Sequence, residues 1–188
     1  ENKADKIVIG LIYGFTDLGI FSVAKFAQEQ LKTVLTAIIN IILPLLTKCP
    51  KHELTPRVKK YTLIAMACTT LSAIIIVLGS EWVINTFLYQ KYNDSIPYIK
   101  YIVFGYLLAV PGAIKLTEKV AIKDVKKEAY LRAVISILYL ISLIFFINFF
   151  GILGVIYSII FKFALWTIVP FISELINQIK NVRHKSSS

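Results

Sequence analysis

The sequence has little charge and few cysteines, and both shortages narrow the class of protein. Aspartate, glutamate, lysine and arginine make up 17% of its 188 residues, whereas a soluble domain carries about 25%. Two cysteines cannot build a disulfide framework, and we expect Cys49, in a basic segment, and Cys68, in an apolar run, to be free thiols. The composition excludes a disordered chain and a disulfide scaffold, and it argues against a soluble globular domain.

The residue combinations of active sites and metal centres are also missing. The sequence contains no Ser/His/Asp set, no carboxylate dyad and no glycine-rich loop of the kind that cradles phosphates. Cys49 and His52 form a C-x-x-H pair, but a zinc site needs about four ligands and no second pair accompanies this one. We therefore expect a protein that is not an enzyme, with no metal and no cofactor.

Apolar residues, in contrast, are abundant: they form 57% of the chain, and the mean hydropathy is +0.72. Five apolar stretches each reach about 19 residues or more, enough to cross the roughly 30 Å hydrocarbon core of a bilayer as a helix. They cover residues 19–46, 61–79, 96–114, 129–150 and 152–172. A shorter run at 7–15 is predicted to be the end of a helix whose beginning is missing.

The predicted fold is therefore all-α. We expect a polytopic membrane helix bundle over residues 1–180, with five transmembrane helices plus the end of a sixth, and a polar cytoplasmic tail over 181–188. Fourteen of the 21 basic residues lie in loops and ends at 47–60, 115–132 and 173–188, which share one side if the spans alternate. The positive-inside rule identifies that side as the cytoplasm. The same distribution accounts for the net charge of +10, so we expect no nucleic-acid partner.

Charges inside the predicted spans need an explanation, because a charged side chain at the bilayer centre costs about 2.5–3.5 kcal/mol on insertion scales. At about 100° per residue, six polar side chains of the first span share an arc of about 80°. They are Ser22, Lys25, Glu29, Lys32, Thr36 and Asn40. We interpret this stripe as the wall of a polar cavity. The alternative is a Lys25–Glu29 pair on a helix that overhangs the outer surface, which leaves the deeper members unexplained.

Two further charges lie in the last two predicted spans. Lys162 is at the centre of the fifth span, where it either attracts an anion into a cavity or pairs with a residue such as Glu29 across a helix interface. Arg132 lies near the cytoplasmic end of the fourth span, where contact with lipid headgroups is the alternative. We predict substrate binding by Lys25, Lys32 and Lys162, with Glu29, Asn40 and Arg132 as supporting or ion-coupling residues.

Five short motifs follow one another along the chain: DKIVIG at 5–10, LGIFSVA at 18–24, LPLL at 43–46, FLYQKYNDS at 87–95 and GILGV at 151–155. In order and spacing they resemble the polysaccharide biosynthesis flippases of the O-antigen (Wzx) type, which belong to the multidrug/oligosaccharidyl-lipid/polysaccharide (MOP) exporter superfamily. The sequence departs from the family pattern at Phe21, where tyrosine is usual, and at Gln90-Lys91, where glycine is usual. Both departures concern local turn chemistry.

The resemblance implies the C-terminal half of a protein with two helical bundles that face each other around a central cavity. Such proteins move undecaprenyl-pyrophosphate-linked oligosaccharides across the bacterial inner membrane by alternating access, for lipopolysaccharide and other surface polysaccharides. The implied partners are this lipid-linked oligosaccharide, membrane lipids and the missing N-terminal half-bundle. The alternatives are a cation-coupled multidrug-type extruder, whose cavity would need acidic residues, and a non-transporting membrane remnant or scaffold.

Overall fold

The computed structural model describes residues 4–87, 92–122 and 125–185, and these residues form an all-helical bundle. The helices are α1 (Ala4–Ile12), α2 (Phe15–Thr47), α3 (Lys51–Phe87), α4 (Ser95–Leu107), α5 (Val110–Ala121) and α6 (Val125–Lys185). The prediction of an all-α fold is confirmed for this part of the chain. Residues 88–91 of the fourth motif, Lys123 of the second basic loop and residues 186–188 of the tail lie outside the described residues.

Three of the described helices, α2, α3 and α6, are long and apolar enough to cross a membrane. A fourth span results if α4 and α5, which meet at 42°, are counted as one bent helix. The sequence predicted five spans, so this count does not confirm the prediction. The difference lies in α6, which includes the residues of both the fourth and the fifth predicted spans.

The chain of α6 folds back on itself at Gly151, whose backbone is not helical (φ 61°, ψ −136°). This positive φ is a conformation that glycine adopts at little cost. The guanidinium of Arg132 lies 5.4 Å from the ring centroid of Trp166, whereas a straight helix would separate these residues by about 50 Å at 1.5 Å per residue. We call residues 125–150 the first arm of α6 and residues 152–185 the second arm.

The bend between α4 and α5 arises because a hydroxyl group of α6 interrupts the helical hydrogen-bond pattern. In a continuous helix the Gly112 N–H would donate to the Leu108 carbonyl oxygen, but it donates to Thr167 Oγ1 at 3.2 Å. The Thr167 hydroxyl in turn donates to the Leu108 carbonyl oxygen. Pro111 has no N–H to contribute. A side chain inserted into the i to i−4 ladder is a known cause of a sharp bend.

Helix α5 replaces part of a predicted cytoplasmic loop. The third predicted span ends at 114, but α5 extends to Ala121, and residues 112–119 are all buried. The Lys115 Nζ pairs with the Glu118 Oε2 at 2.7 Å, and both side chains are only 10% exposed. The expectation of a loop at this point is wrong, because α5 packs against α2, α3 and α6 and neutralises a charge within the bundle.

The helices run back and forth, so their connections fall at two ends of the bundle. At one end Lys100, near the start of α4, pairs with Glu81, near the end of α3, with 2.5 Å between Nζ and Oε1. Tyr13, just before α2, lies at the same end beside the turn at Gly151. The end of α2, the start of α3, the end of α5 and both ends of α6 lie at the other end. The order of the helices therefore places the described parts of the basic segments at one end of the bundle.

The outer surface of the bundle is apolar along its helices. Large apolar side chains are exposed on α3 and on both arms of α6, among them Leu63, Leu71, Ile75, Leu78, Ile144, Phe149, Phe161 and Ile168. A soluble monomer rarely exposes a contiguous apolar patch of more than a few hundred Å². These are the helices of a membrane protein, and the exposed side chains are suited to contact with lipid.

Candidate functional site

A cavity of about 150 Å³ lies where the bend between α4 and α5 faces α2 and both arms of α6. Three cationic side chains line it together with one amide, aromatic rings and small residues. The lining residues are Gln28, Lys32, Leu35, Tyr106, Ala109, Ala113, Arg132, Lys162, Phe163 and Trp166. The structure thus brings together three of the residues singled out in the sequence, Lys32, Arg132 and Lys162, from two helices.

Helix α2 contributes Gln28, Lys32 and Leu35 to the cavity because residues four and seven positions apart share one helix face. The polar stripe predicted on this helix lies mainly beside that face. Glu29, Lys32, Thr33, Thr36, Ala37 and Asn40 line an open groove of about 530 Å³. Lys32 belongs to both sets of lining residues. It connects the groove, with the predicted supporting residues Glu29 and Asn40, to the cavity.

The two arms of α6 hold the other two cations in place through aromatic rings. The Lys162 Nζ lies 4.4 Å from the ring centroid of Tyr139, which is 1% exposed. Lys162 itself is 9% exposed. The exposed Arg132 lies against the ring of Trp166 and also pairs with Glu128. Both cation–π contacts join the first arm to the second, so the fold-back at Gly151 places these charges beside α2.

Lys25 is not among the residues that line this cavity. It is buried in the packed bundle at 3% exposure, with its Nζ 6.0 Å from the Phe21 ring centroid. Ser22, the first member of the predicted stripe, lines a separate apolar pocket of about 770 Å³ together with Trp82 and Ile99. The stripe is therefore divided: its deeper members reach the groove, and its outer members lie elsewhere.

Sequence reasoning assigned no role to the uncharged members of the cavity, among them Gln28, Tyr106 and Trp166. Gln28 is 5% exposed, and its Oε1 has no hydrogen-bond partner among the residues that the structure describes. Tyr106 packs edge-on against Phe163, with 5.1 Å between the ring centroids. One signal was available: on the helical wheel Gln28 lies only about 40° from Lys32, so a mid-span amide adjoins the stripe.

The second arm of α6 also holds α5 in position, and α5 forms one wall of the cavity. A Cβ atom at Gly112 would lie 1.8 Å from the Trp166 carbonyl oxygen, so only glycine permits this approach of the two backbones. Thr167, which holds the bend, is the next residue in the chain. The ring of Trp166 and the position of α5 are therefore set by the same segment of α6.

Within the described ranges, no three His, Cys, Asp or Glu side chains are grouped so that they could hold a metal ion. Cys49 and Cys68 are both free thiols. The cavity offers cationic and amide groups, which bind anions and hydrogen-bonding ligands.

A sequence-family model described as polysaccharide biosynthesis protein matches residues 1–97, just over half of the chain. The matched residues include α1, α2, α3 and the α2 wall of the cavity, whereas Arg132 and Lys162 lie beyond them. No curated protein matches the chain, and no solved structure matches it.

Proposed function

The chain belongs to the polysaccharide biosynthesis protein family, and we propose that it is the C-terminal half-bundle of a flippase for lipid-linked oligosaccharides. The observation that carries this proposal is the cavity where Lys32, Arg132 and Lys162 meet among apolar helices. Charged side chains within a membrane bundle are expensive and usually mark a substrate or ion pathway. Lysine and arginine side chains form their strongest hydrogen bonds with anions such as phosphate. An undecaprenyl-linked pyrophosphate is a ligand of this chemistry.

The proposal includes five membrane crossings: α2, α3, the bent pair α4 and α5, and the two arms of α6. Each arm is long enough to cover about 30 Å of hydrocarbon at 1.5 Å per residue. The basic segments share one end of the bundle, and the positive-inside rule assigns that end to the cytoplasm. The proposed location is thus the bacterial inner membrane, with a cytoplasmic C-terminus.

The groove on α2 indicates where the other half of the proposed flippase would lie. A polar helix face at membrane depth must be covered by protein or water, and we infer that the N-terminal half-bundle faces this groove across a central cavity. The pyrophosphate would lie among the three cations, and the glycan would contact Thr36 and Asn40. Glu29 is our candidate for coupling to a cation. The protein breaks no covalent bond in this scheme; it lowers the barrier for a polar headgroup to cross the membrane.

The test is loss of the gene in the cell that encodes it. We expect the surface polysaccharide to disappear while the lipid-linked oligosaccharide accumulates in the inner leaflet of the membrane, and a plasmid copy should restore both. Absence of any lipid-linked oligosaccharide would contradict translocation and indicate a role in synthesis. An unchanged surface glycan with increased sensitivity to cationic drugs would contradict it in favour of an extruder.

A further inference from the structure

Gln28 is a buried amide whose oxygen faces no donor among the residues that the structure describes. A buried polar atom without a partner costs about 1–3 kcal/mol. Such atoms are few in folded proteins, and a bound molecule is one of the explanations for them. The Oε1 atom itself is covered by protein, but because Gln28 lines the cavity with Lys32 and Leu35, a turn of the amide would bring the oxygen to a ligand that supplies the missing donor.

The residues beside Gln28 indicate what kind of ligand would carry the hydrogen-bond donor. The ammonium groups of Lys32 and Lys162 and the guanidinium of Arg132 donate hydrogen bonds and accept none, so they select the anionic part of a ligand. Gln28 supplies an acceptor to the same cavity. A ligand that satisfies the whole set carries an anion and, within a few ångströms of it, a hydroxyl or amide hydrogen.

The remaining walls and the volume limit the ligand further. The rings of Tyr106, Phe163 and Trp166 provide flat apolar surfaces, which suit the face of a ring. A volume of about 150 Å³ equals that of a protein cavity known to hold one benzene ring. The cavity is therefore too small for an oligosaccharide and admits about one sugar ring, so the adjoining phosphate would lie where the cavity meets the groove at Lys32.

We propose that Gln28 is a specificity-determining residue of this cavity, where it accepts a hydrogen bond from the first sugar of a phosphorylated glycan while the cations hold the adjoining phosphate. The proposal rests on the proposed function and deepens it. It assigns to this half-bundle the recognition of one sugar phosphate, with the specificity carried by an uncharged residue and the affinity for phosphate carried by the charged ones.

The experiment compares sugar phosphates with methyl phosphate, which is also a phosphate monoester but has no hydroxyl group on its carbon. The chain is incorporated in lipid nanodiscs, and dissociation constants are measured by calorimetry for methyl phosphate and for the 1-phosphates of glucose, galactose and N-acetylglucosamine. We expect wild type to bind at least one sugar phosphate about tenfold more tightly than methyl phosphate, as one net hydrogen bond would give. Gln28→Met should abolish this preference and leave the methyl phosphate affinity within about twofold.

Two further variants keep the result interpretable. Gln30→Met makes the same change on an exposed position of α2 and should keep the preference. Gln28→Leu removes the acceptor with a different side-chain shape and should behave like Gln28→Met. If the Gln28 variants retain the sugar preference, or if wild type has none, the role of Gln28 is wrong while the anion site stands. If the wild-type chain binds no phosphate compound at all, both the role of Gln28 and the proposed function are wrong.

Discussion

At the scale of single residues, the cavity contains three cations in three different environments. Lys162 is buried beside Tyr139, Lys32 is exposed at the edge of the groove, and Arg132 is exposed and paired with Glu128. Electrostatic attraction increases as the surroundings become less polar. The buried ammonium of Lys162 should therefore contribute more to the binding of an anion than the exposed charges of Lys32 and Arg132.

This ranking predicts the effect of Lys162→Met, which removes the charge and keeps most of the side-chain length. We expect the affinity of the nanodisc-embedded chain for methyl phosphate to fall at least about tenfold, as for a hydrogen bond to a charged group. Arg132→Met should weaken binding less. Lys59→Met, an exposed position of the basic segment before the second predicted span, serves as the control. A loss of affinity in Arg132→Met as large as that in Lys162→Met would contradict the ranking.

The sequence permitted the prediction of these cations because a charge inside an apolar run is costly and therefore conspicuous. It gave no reason to assign a role to Gln28 or Trp166, since an amide or an aromatic ring in a span carries no comparable penalty. It separated Lys25 from Lys32 only by their depth along the first predicted span, and depth does not decide which of them is buried. Both lie on one face of α2, and only the arrangement of the neighbouring helices buries one and leaves the other at the groove.

At the scale of helices, the bend between α4 and α5 depends on a partner that is distant in sequence. The Thr167 hydroxyl occupies the place of a main-chain hydrogen bond between Gly112 and Leu108. It also adjoins Trp166 in the cavity wall. The angle of α5 and the shape of the cavity are therefore linked through two consecutive residues of α6.

The replacement Thr167→Val tests this link because valine has nearly the same shape without the hydroxyl. The Gly112 N–H and the Leu108 carbonyl would lose their partner, and we expect the free energy of unfolding in detergent to fall by about 1–3 kcal/mol. Thr167→Ser keeps the hydroxyl and should retain most of the stability. Equal stability of the valine and serine variants would show that the hydroxyl does not hold the bend.

The helices differ in how far their boundaries could be predicted from the sequence. The break at Gly151 was foreseeable because glycine interrupts two apolar runs, and the structure folds the chain back there. The continuation of α5 was not foreseeable, because Lys115 and Lys119 have the composition of a loop. Their burial depends on an ion pair with Glu118 and on three neighbouring helices. Neither can be deduced from the composition of this segment.

At the scale of the whole molecule, the bundle has two kinds of exposed surface. Most of it is apolar and suited to lipid, whereas the groove on α2 is polar and continues into the cavity through Lys32. A membrane helix can expose a polar face only to protein or water. We propose that a second bundle lies opposite α2 and that the basic segments at one end set the orientation of the first.

The most direct test is the translocation of a fluorescent undecaprenyl-pyrophosphate-linked oligosaccharide across the membrane of proteoliposomes that contain the proposed two-bundle transporter. We predict that the wild-type protein moves the lipid faster than protein-free vesicles do. Lys32→Met combined with Lys162→Met should slow this rate at least about tenfold, while Lys59→Met leaves it unchanged. A wild-type rate no greater than that of empty vesicles, or a double variant as fast as wild type, would contradict the account.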